Sequence, residues 1–275
     1  MTQHPFSYAG RRVVVTGGAR GVGAALLDVL AELDAAHVTV LDLNPPSGPH
    51  DAFIATNLAE EDAVRAAIAA VDGSVDVLFN NAGVADTSPP PVVLAVNYLA
   101  LRTLSEGLLD HMPEGGAIVN TASTAGNLWR KRKEEIDELL GLEVSGTWIP
   151  SVEWYDEAAA TLGQGPYNFS KELVERYTMR SSRPTGRRGV RTNAVCPGPI
   201  DTPLLPDFRA TTSDQIIDWN IREMAGRPVA PREVAATLAF LGSPAAGSVN
   251  GVNLDIDGGF FAALATGQVD YRGRA

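Results

Sequence analysis

Three observations predict an α/β fold with a doubly wound parallel sheet. Short apolar runs alternate with amphipathic stretches along all 275 residues, the pattern of a parallel sheet covered by helices on both faces. The chain is 45% apolar and 20% charged, which is enough to bury a core and too apolar for disorder. No internal repeat or linker divides it, so residues 1–275 are predicted to form one domain.

The first half of the chain contains five predicted strands. The β-branched run Val13–Val15 marks the first strand, and the other strands are also short and apolar. These strands cover residues 12–16, 37–43, 52–55, 75–79 and 116–121. Apolar residues at helical spacing predict helices between them at 22–33, 60–71 and 92–112.

The second half supplies two more strands, at 190–195 and 252–255, and two core helices, at 166–182 and 231–242. Two segments break this alternation. Residues 127–165 follow the fifth strand as an insertion far longer than usual connections, and residues 201–228 follow the sixth strand. All four tryptophans lie in these segments, where each could simply cover a local core.

Composition and charge narrow the classes of function. A net charge of −11 predicts repulsion from phosphate backbones, so nucleic acid is not an expected partner. The single cysteine, Cys196, suits a reducing cytoplasm and is expected to be a small buried residue rather than a nucleophile. With no secretory signal and no run of 18 apolar residues, no membrane span is expected. The four histidines stand singly, so no metal site is predicted.

A glycine-rich turn, residues 16–23 (TGGARGVG), lies between the first predicted strand and helix. Gly17 permits a tight turn, Gly21 lets the backbone approach a pyrophosphate, and Gly23 lets helix and strand pack closely. The N-terminus of the helix, at Val22, offers free N–H groups to phosphates. Structural turns also collect glycine, but here the second strand ends at Asp42, placed to bind both ribose hydroxyls. Together these features predict a dinucleotide-binding Rossmann fold.

Asp42 also predicts which dinucleotide is bound. A carboxylate at this position repels a 2′-phosphate, and the following Leu43-Asn44-Pro45 supplies no cation to compensate. NAD is therefore predicted over NADP. Arg20, in the glycine turn, is the nearby cation that opposes this prediction.

Three side chains form a candidate catalytic group. Tyr167 and Lys171 are four residues apart at the start of a predicted helix, so both project from one face. A phenol with a pKa of about 10 is a poor base, and an adjacent ammonium with a positive nicotinamide would favour the phenolate. Chance produces many such pairs, but this chain has only three lysines. Ser123 ends the fifth strand, where open α/β sheets hold substrates.

The order of these motifs resembles the short-chain dehydrogenase/reductase family over nearly the whole chain. The matching residues are Thr16-Gly-x-x-x-Gly21-x-Gly23, Asn80-Asn81-Ala82-Gly83, Asn97, Ser123, Tyr167-x-x-x-Lys171, Cys196-Pro197-Gly198 and Asp257-Gly258-Gly259. Several motifs in fixed order are more specific than any one alone.

The resemblance implies a role for each catalytic candidate. Tyr167 would be the general acid/base, and Ser123 would orient the substrate. Lys171 would hold the nicotinamide ribose and lower the pKa of the tyrosine. Asn97 would hold a water that relays protons from Lys171 to solvent.

The resemblance also implies further cofactor contacts. Asn81, Ala82 and Gly83 would lie beside the adenine ribose at the end of strand four. The nicotinamide carboxamide would be held by Pro197, Gly198, Ile200 and Thr202. Asn57 and Leu58 occupy the place of the usual acid that meets the adenine amine, and Asn57 can still accept that bond through its side-chain oxygen.

The substrate is predicted less specifically. Ser123 and Tyr167 are 44 positions apart. This long insertion, together with Val96-Asn97-Tyr98 and residues 197–204 (PGPIDTPL), resembles the family branch of 3α-hydroxysteroid dehydrogenase/carbonyl reductases and coniferyl-alcohol dehydrogenases, which implies a bulky apolar alcohol or ketone. An NAD-binding regulator without turnover is the alternative, although all four catalytic candidates are present. The resemblance also implies a homo-oligomer, a dimer or tetramer, whose contact the insertion should alter.

The two irregular segments are predicted to form the walls and lid of the substrate pocket. Ser213 can cap a helix running to about Met224, and Trp219 within it is expected to report on substrate binding. For the insertion, packing on the domain or a subunit contact is as good an interpretation as substrate contact. Its basic run, Arg130–Lys133, is predicted to form a solvated helix with Arg130/Glu134 and Lys131/Glu135 pairs.

Overall fold

The sheet has seven parallel strands in the order β3-β2-β1-β4-β5-β6-β7. The computed structural model describes residues 4–141, 148, 157, 165–224 and 226–270. The strands are β1 (Arg12–Thr16), β2 (His37–Asp42), β3 (Ala52–Ala55), β4 (Val77–Asn80), β5 (Ala117–Thr121), β6 (Arg191–Pro197) and β7 (Asn253–Ile256). The strand order reverses between β1 and β4, and this confirms the predicted doubly wound sheet.

Helices cover both faces of the sheet. They are α1 (Gly21–Glu32), α2 (Glu61–Ala70), α3 (Pro90–Leu94), α4 (Ala100–Gly107), α5 (Lys133–Gly141), α6 (Pro166–Gly186), α7 (Leu205–Thr211), α8 (Asp214–Glu223), α9 (Pro231–Gly242) and α10 (Phe260–Ala265). The sequence periodicity placed the core helices α1, α2, α6 and α9 correctly, with ends shifted by up to four residues.

Alternation along each strand divides the core into two layers. In β1, Val13 and Val15 pack with α1 and α9, whereas Val14 packs on the opposite face with α4 and α6. Ile118 and Val119 of β5 alternate in the same way. Because helices cover both faces, the central strands β1, β4, β5 and β6 are almost entirely buried, whereas the edge strands β3 and β7 are only partly buried.

The predicted helix 92–112 is interrupted. It begins at Pro90, and a π-helical segment (Ala95–Leu99) separates α3 from α4. The last predicted residues instead form a separate 3₁₀ turn at Leu109–His111. The apolar spacing of residues 92–112 is compatible with one continuous helix, so it did not reveal this insertion of one extra residue.

The same stretch, Pro90–His111, is long and apolar enough to cross a membrane, with a mean hydropathy of 1.4 over its most apolar window. However, 67% of that window is buried inside the protein, against the sheet and α6. Burial by its own chain accounts for its apolar surface, as in the core helix of a large domain.

The predicted helix through the basic run of the insertion is wrong. Residues Thr124–Lys131 form a 3₁₀ helix that ends before α5 begins, so Arg130/Glu134 and Lys131/Glu135 do not share a helix. The Arg130 guanidinium instead lies 4.9 Å from the ring centroid of Trp129. The insertion is tied to α6 by other ion pairs, Arg132–Glu172 and Arg176–Asp137.

Candidate active site

The glycine turn after β1 is shaped to admit a phosphate group. Gly17 has a φ of +71°, and a Cβ there would lie 2.7 Å from the Cα of Ala82. A Cβ on Gly23 would lie 1.8 Å from the Gly17 carbonyl oxygen, so only glycine lets α1 pack against the turn. Gly21, with a φ of +59°, faces the Thr202 methyl group. The turn and the loop after β6 therefore border one cleft, and its backbone fits a dinucleotide pyrophosphate.

Asp42 ends β2 beside this turn. Its Oδ2 accepts the Ala19 N–H at 3.0 Å, and its Oδ1 accepts the Asn44 N–H at 3.1 Å. These bonds fix the carboxylate at the edge of the cleft, where ribose hydroxyls can reach it. Arg20 and Leu43, on either side, are exposed, and neither covers the carboxylate.

The end of β4 is joined to the end of β1. The Thr16 hydroxyl accepts the backbone N–H groups of Asn81 and Ala82, both at 3.0 Å, and the Asn81 amide donates to the Gly17 carbonyl at 3.2 Å. On the adenine side, the Asn57 side-chain oxygen accepts the Ala59 N–H at 3.1 Å. That local bond leaves one lone pair of the Asn57 oxygen for the expected adenine amine.

The three catalytic candidates meet at the carboxyl end of β5. Ser123 caps the following 3₁₀ helix, and its hydroxyl acts on the phenol of Tyr167, whose pKa it lowers. Lys171 is buried one turn further along α6, and its Nζ lies 5.6 Å from the ring centroid of Tyr167. The Nζ donates to the Thr121 carbonyl at 2.8 Å, which fixes the ammonium on the side of the ring nearest the sheet.

The protein without cofactor does not lower the pKa of Tyr167, as the sequence analysis expected it to. Burial raises the pKa of Tyr167 to about 12, and the Ser123 hydroxyl opposes this shift only in part. Burial also lowers the pKa of Lys171 to about 8, so the ammonium is a weaker charge than the sequence implied. The effect of desolvation on the pKa of Tyr167 therefore outweighs that of the lysine, and any lowering of this pKa must come from the cofactor.

Asn97 lies in the π-helical segment and is fully engaged. Its Nδ2 donates to the Val84 carbonyl and the Ser170 hydroxyl, both at 3.0 Å. Its Oδ1 accepts the Val84 N–H at 2.9 Å. Asn97 thus holds the loop after Gly83 against α6, and the water relay implied by the resemblance stays a prediction.

The loop after β6 forms the opposite wall of the cleft. The Gly198 N–H donates to Ile256 at 3.0 Å, and the Pro197 carbonyl accepts the Thr124 hydroxyl at 3.2 Å. Met224 of the predicted lid packs onto Gly198, where a Cβ would lie 3.1 Å from its sulfur. Cys196, just before this loop, is buried and burial raises the pKa of its thiol, as expected of a structural cysteine.

One residue of the predicted lid segment lies over Tyr167, the candidate catalytic tyrosine. Phe208 of α7 packs edge-on against the ring of Tyr167, with centroids 4.7 Å apart. Ser213 caps α8 as predicted, accepting the Ile216 N–H. Trp219 is buried against Phe260 of α10, with ring centroids 5.1 Å apart, so it anchors α8.

The sequence reasoning missed three residues around this site. Asp86 accepts the backbone N–H of Tyr167, Phe208 contacts the phenol ring, and Glu175 accepts the Trp129 indole N–H at 2.9 Å. Their partners lie 41 to 81 positions away in sequence, so no local spacing could have identified them. Only Asp86 had a signal in the sequence, since it lies three residues after Gly83 in the loop that follows β4.

Comparison with known proteins agrees with this geometry. The sequence profile described as short chain dehydrogenase matches residues 11–132, and that of Enoyl-(Acyl carrier protein) reductase matches residues 152–261. Similar solved structures include complexes with NADH and with NADP, so the cofactor site is that of an NAD(P) protein.

Two curated relatives and one solved structure align with nearly the whole chain. Coniferyl-alcohol dehydrogenase of Pseudomonas sp. (strain HR199) is 33% identical over 90% of this chain and 96% of the relative. Cis-4-hydroxycyclohexanecarboxylate dehydrogenase of Sinomonas cyclohexanicum is 31% identical over 93% and 98%. The NADH complex of 3-alpha-hydroxysteroid dehydrogenase from Pseudomonas sp. B-0831 superposes with a TM-score of 0.74, at 31% identity over 94% and 99%. The chain belongs to the short-chain dehydrogenase/reductase family.

Proposed function

We propose that this protein interconverts an alcohol and its carbonyl compound with NAD as the cofactor, on a bulky and largely apolar substrate. The observation that carries the proposal is the meeting of Ser123, Tyr167 and Lys171 at the carboxyl end of β5, with Lys171 buried and its Nζ 5.6 Å from the ring centroid of Tyr167. A nicotinamide cleft borders the same strand ends. A phenol, a hydroxyl and an ammonium arranged in this way can move one proton to or from a substrate oxygen.

In the oxidation direction, the Tyr167 phenolate takes the proton of the substrate hydroxyl. The Ser123 Oγ–H donates to the same substrate oxygen and holds it as charge develops. A nicotinamide held in this cleft would supply the acceptor for the hydride of the carbinol carbon, and its positive charge would favour the phenolate. Lys171 Nζ, fixed by the Thr121 carbonyl, holds the cofactor ribose and adds to this stabilisation.

The choice of NAD rests on Asp42. Both of its oxygens are held by backbone N–H groups at the edge of the cleft, so the carboxylate cannot turn away from a 2′-phosphate. The substrate class rests on the relatives, one named for coniferyl alcohol and one for a hydroxysteroid, and on the aromatic Phe208 above Tyr167. The buried, free Cys196 supports a cytoplasmic location.

A screen that follows NADH absorbance with steroid and phenylpropanoid alcohols tests the activity and the substrate class together. We expect turnover with NAD, and at least tenfold tighter binding of NADH than of NADPH, an advantage of about 1.4 kcal/mol. Absence of turnover with every alcohol and both cofactors would reject the activity. Equal affinities in a calorimetric titration would reject the cofactor choice alone.

A further inference from the structure

An uncompensated carboxylate stands beside the catalytic tyrosine. Asp86 lies in the loop after β4, three residues beyond Gly83, and is half-buried. Its Oδ1 accepts the Tyr167 N–H at 2.7 Å. Nothing else in the described part of the chain hydrogen-bonds to this carboxylate, and none of the ion pairs found there includes it.

The surroundings of Asp86 do not favour its charge. Burial raises the pKa of the carboxyl group, and the one bond from the Tyr167 N–H compensates only in part. The chain also closes tightly on it, since a Cβ on Gly165 would lie 2.9 Å from Oδ2. A half-buried charge without a cation is costly, and such groups cluster where they act on a ligand.

The simplest structural interpretation is a helix cap. An aspartate that accepts an N–H in the first turn of α6 stabilises the helix and needs no further role. Asparagine would accept the same bond, and the dipole of α6 also favours a carboxylate at this end, so helix capping accounts for the shape of the side chain and for part of its charge. The charge does act on the site, because Asp86 raises the pKa of the Tyr167 phenol through space.

We propose that Asp86 is a specificity determinant that confines the site to uncharged alcohols and disfavours substrates that carry a carboxylate. This inference rests on the proposed function, because it concerns the same substrate. A substrate whose reacting oxygen lies between Ser123 and Tyr167 must place its remaining atoms near the start of α6. A second carboxylate in that partly dehydrated space meets Asp86 without a cation to offset the repulsion.

The relatives make this inference specific. One of them is named for coniferyl alcohol, which is neutral, and another for cis-4-hydroxycyclohexanecarboxylate, which is an anion. Because of Asp86, we expect this chain to prefer substrates of the first kind. The overall charge of −11 acts in the same direction, although only at long range.

Two ring alcohols of equal shape and different charge provide the test. They are cis-4-hydroxycyclohexanecarboxylate and its neutral carboxamide, compared through kcat/KM with saturating NAD. We expect the wild-type protein to favour the carboxamide at least tenfold. Asp86→Asn should reduce this preference to less than threefold by improving turnover of the carboxylate. Asp62→Asn, which removes one exposed charge from α2, should leave the preference unchanged.

The pH profile of the variant separates a charge effect from a structural one. The groups that act on the Tyr167 phenol are Ser123, Asp86, Cys196 and the adjacent Lys171, and only Asp86 is changed. Removing its charge lowers the pKa of the phenol. The rise of kcat/KM with pH should therefore move to lower pH in Asp86→Asn, and not in Asp62→Asn.

Three outcomes overturn the inference. The first is a wild-type protein that turns over both ring alcohols equally. The second is Asp86→Asn matching the wild type while Asp86→Ala slows both substrates alike, which would make Asp86 a helix cap only. The third applies if wild type turns over neither compound nor any screened alcohol, a result that by itself rejects the proposed function. Binding of the two compounds to the NADH complex, measured by tryptophan fluorescence, then tests the inference, and equal affinities would overturn it.

Discussion

Two opposing effects set the acidity of the Tyr167 hydroxyl. Burial raises its pKa to about 12, whereas the bond from Ser123 lowers it. Lys171, with a pKa lowered to about 8, is near the point of losing its charge at the pH of many assays. The phenolate is therefore scarce without cofactor, and activity should rise with pH as the tyrosine loses its proton.

Replacing the phenol tests its role directly. Tyr167→Phe keeps the ring against Phe208 and removes the proton-carrying oxygen. We expect NADH binding to be unchanged and turnover to fall by roughly two orders of magnitude or more. Lys171→Met should weaken cofactor binding as well as turnover, because one ammonium serves both. Near-normal turnover of the Tyr167→Phe protein in a steady-state assay would show that another group moves the proton.

These residues were predictable because their geometry is local. Tyr167 and Lys171 share one helix face. Asp42 ends β2 and Ser123 follows the end of β5, so the pattern of strands and helices brings these residues to one sheet edge. Asp86 was not predictable, because its contact with Tyr167 joins positions 81 residues apart. The raised pKa of Tyr167 was also missed, since sequence shows which charges are near but not how deeply they are buried.

At the scale of elements, the 3₁₀ helix that begins after Ser123 is fixed against α6. A Cβ on Gly126 would lie 2.7 Å from the Lys171 carbonyl oxygen, so the two backbones touch. The Trp129 indole then donates to Glu175, and Arg176 lies 5.3 Å from the Trp129 ring centroid. This packing holds the serine and the tyrosine, which belong to different elements, at a fixed separation.

The buried carboxyl of Glu175 makes stability depend on pH. Burial raises its pKa from 4.5 to about 8, so the folded protein keeps a proton that the unfolded chain releases. The stability contributed by this group therefore falls as pH rises through that window. Glu175→Gln removes the effect and keeps an acceptor for Trp129.

We expect the melting temperature of Glu175→Gln to gain on that of the wild type as pH rises from 4.5 to about 8, with no further gain above that pH. A gain of about 1 kcal/mol corresponds to about 2 °C or more for a chain of this size. Glu135→Gln, an exposed change on α5, should show no such trend. Parallel melting curves across that range would indicate that Glu175 is ionised in the folded protein.

In the predicted lid, one residue anchors the helices and another faces the site, whereas the sequence analysis singled out only Trp219. Trp219 anchors α8 to α10, whereas Phe208 of α7 lies on Tyr167. Arg209 joins the two helices through Asp214 and Asp218. Amphipathic spacing predicted α8, but not which aromatic ring faces the site, since that depends on where α10 lies.

Phe208→Ala should therefore alter substrate binding more than cofactor binding. We expect KM for a bulky alcohol to rise severalfold, with the affinity for NADH unchanged, because the lost ring is a wall of the pocket and not of the nucleotide cleft. Steady-state kinetics and a calorimetric titration provide the two measurements. Unchanged substrate kinetics would place the substrate away from α7 and would contradict the predicted lid.

At the scale of the whole molecule, the insertion covers the outer face of α6. Ile136, Leu139 and Leu140 of α5 are buried in the core layer that contains α6, and Trp148 lies in the same layer. Residues 142–147, 149–156 and 158–164 of the insertion, with Trp154 among them, lie outside the described residues. The choice between substrate contact and subunit contact for that part stays open, although packing on the domain accounts for α5.

We propose that the protein is a homo-oligomer whose subunit contact is altered by the insertion, as the family resemblance implies. Light scattering at micromolar concentration should give a mass at least twice the 29.0 kDa of one chain. Asp137→Ala, which breaks the ion pairs from α5 to Arg176 and Arg180, should change that mass if α5 shapes the interface. A monomer at this concentration would contradict the proposal.

The π-helical segment Ala95–Leu99 makes this site sensitive to chain length as well as to side-chain identity. One extra residue there turns the neighbouring helical positions by about 100° relative to a continuous α-helix. Asn97 reaches Val84 and Ser170 from that register. Val96→Ala should therefore be nearly silent in a turnover assay, whereas deleting Val96 should abolish turnover while circular dichroism still reports a helical protein. A gap of one residue in this segment would thus distinguish inactive relatives from active ones, even where both have every catalytic side chain.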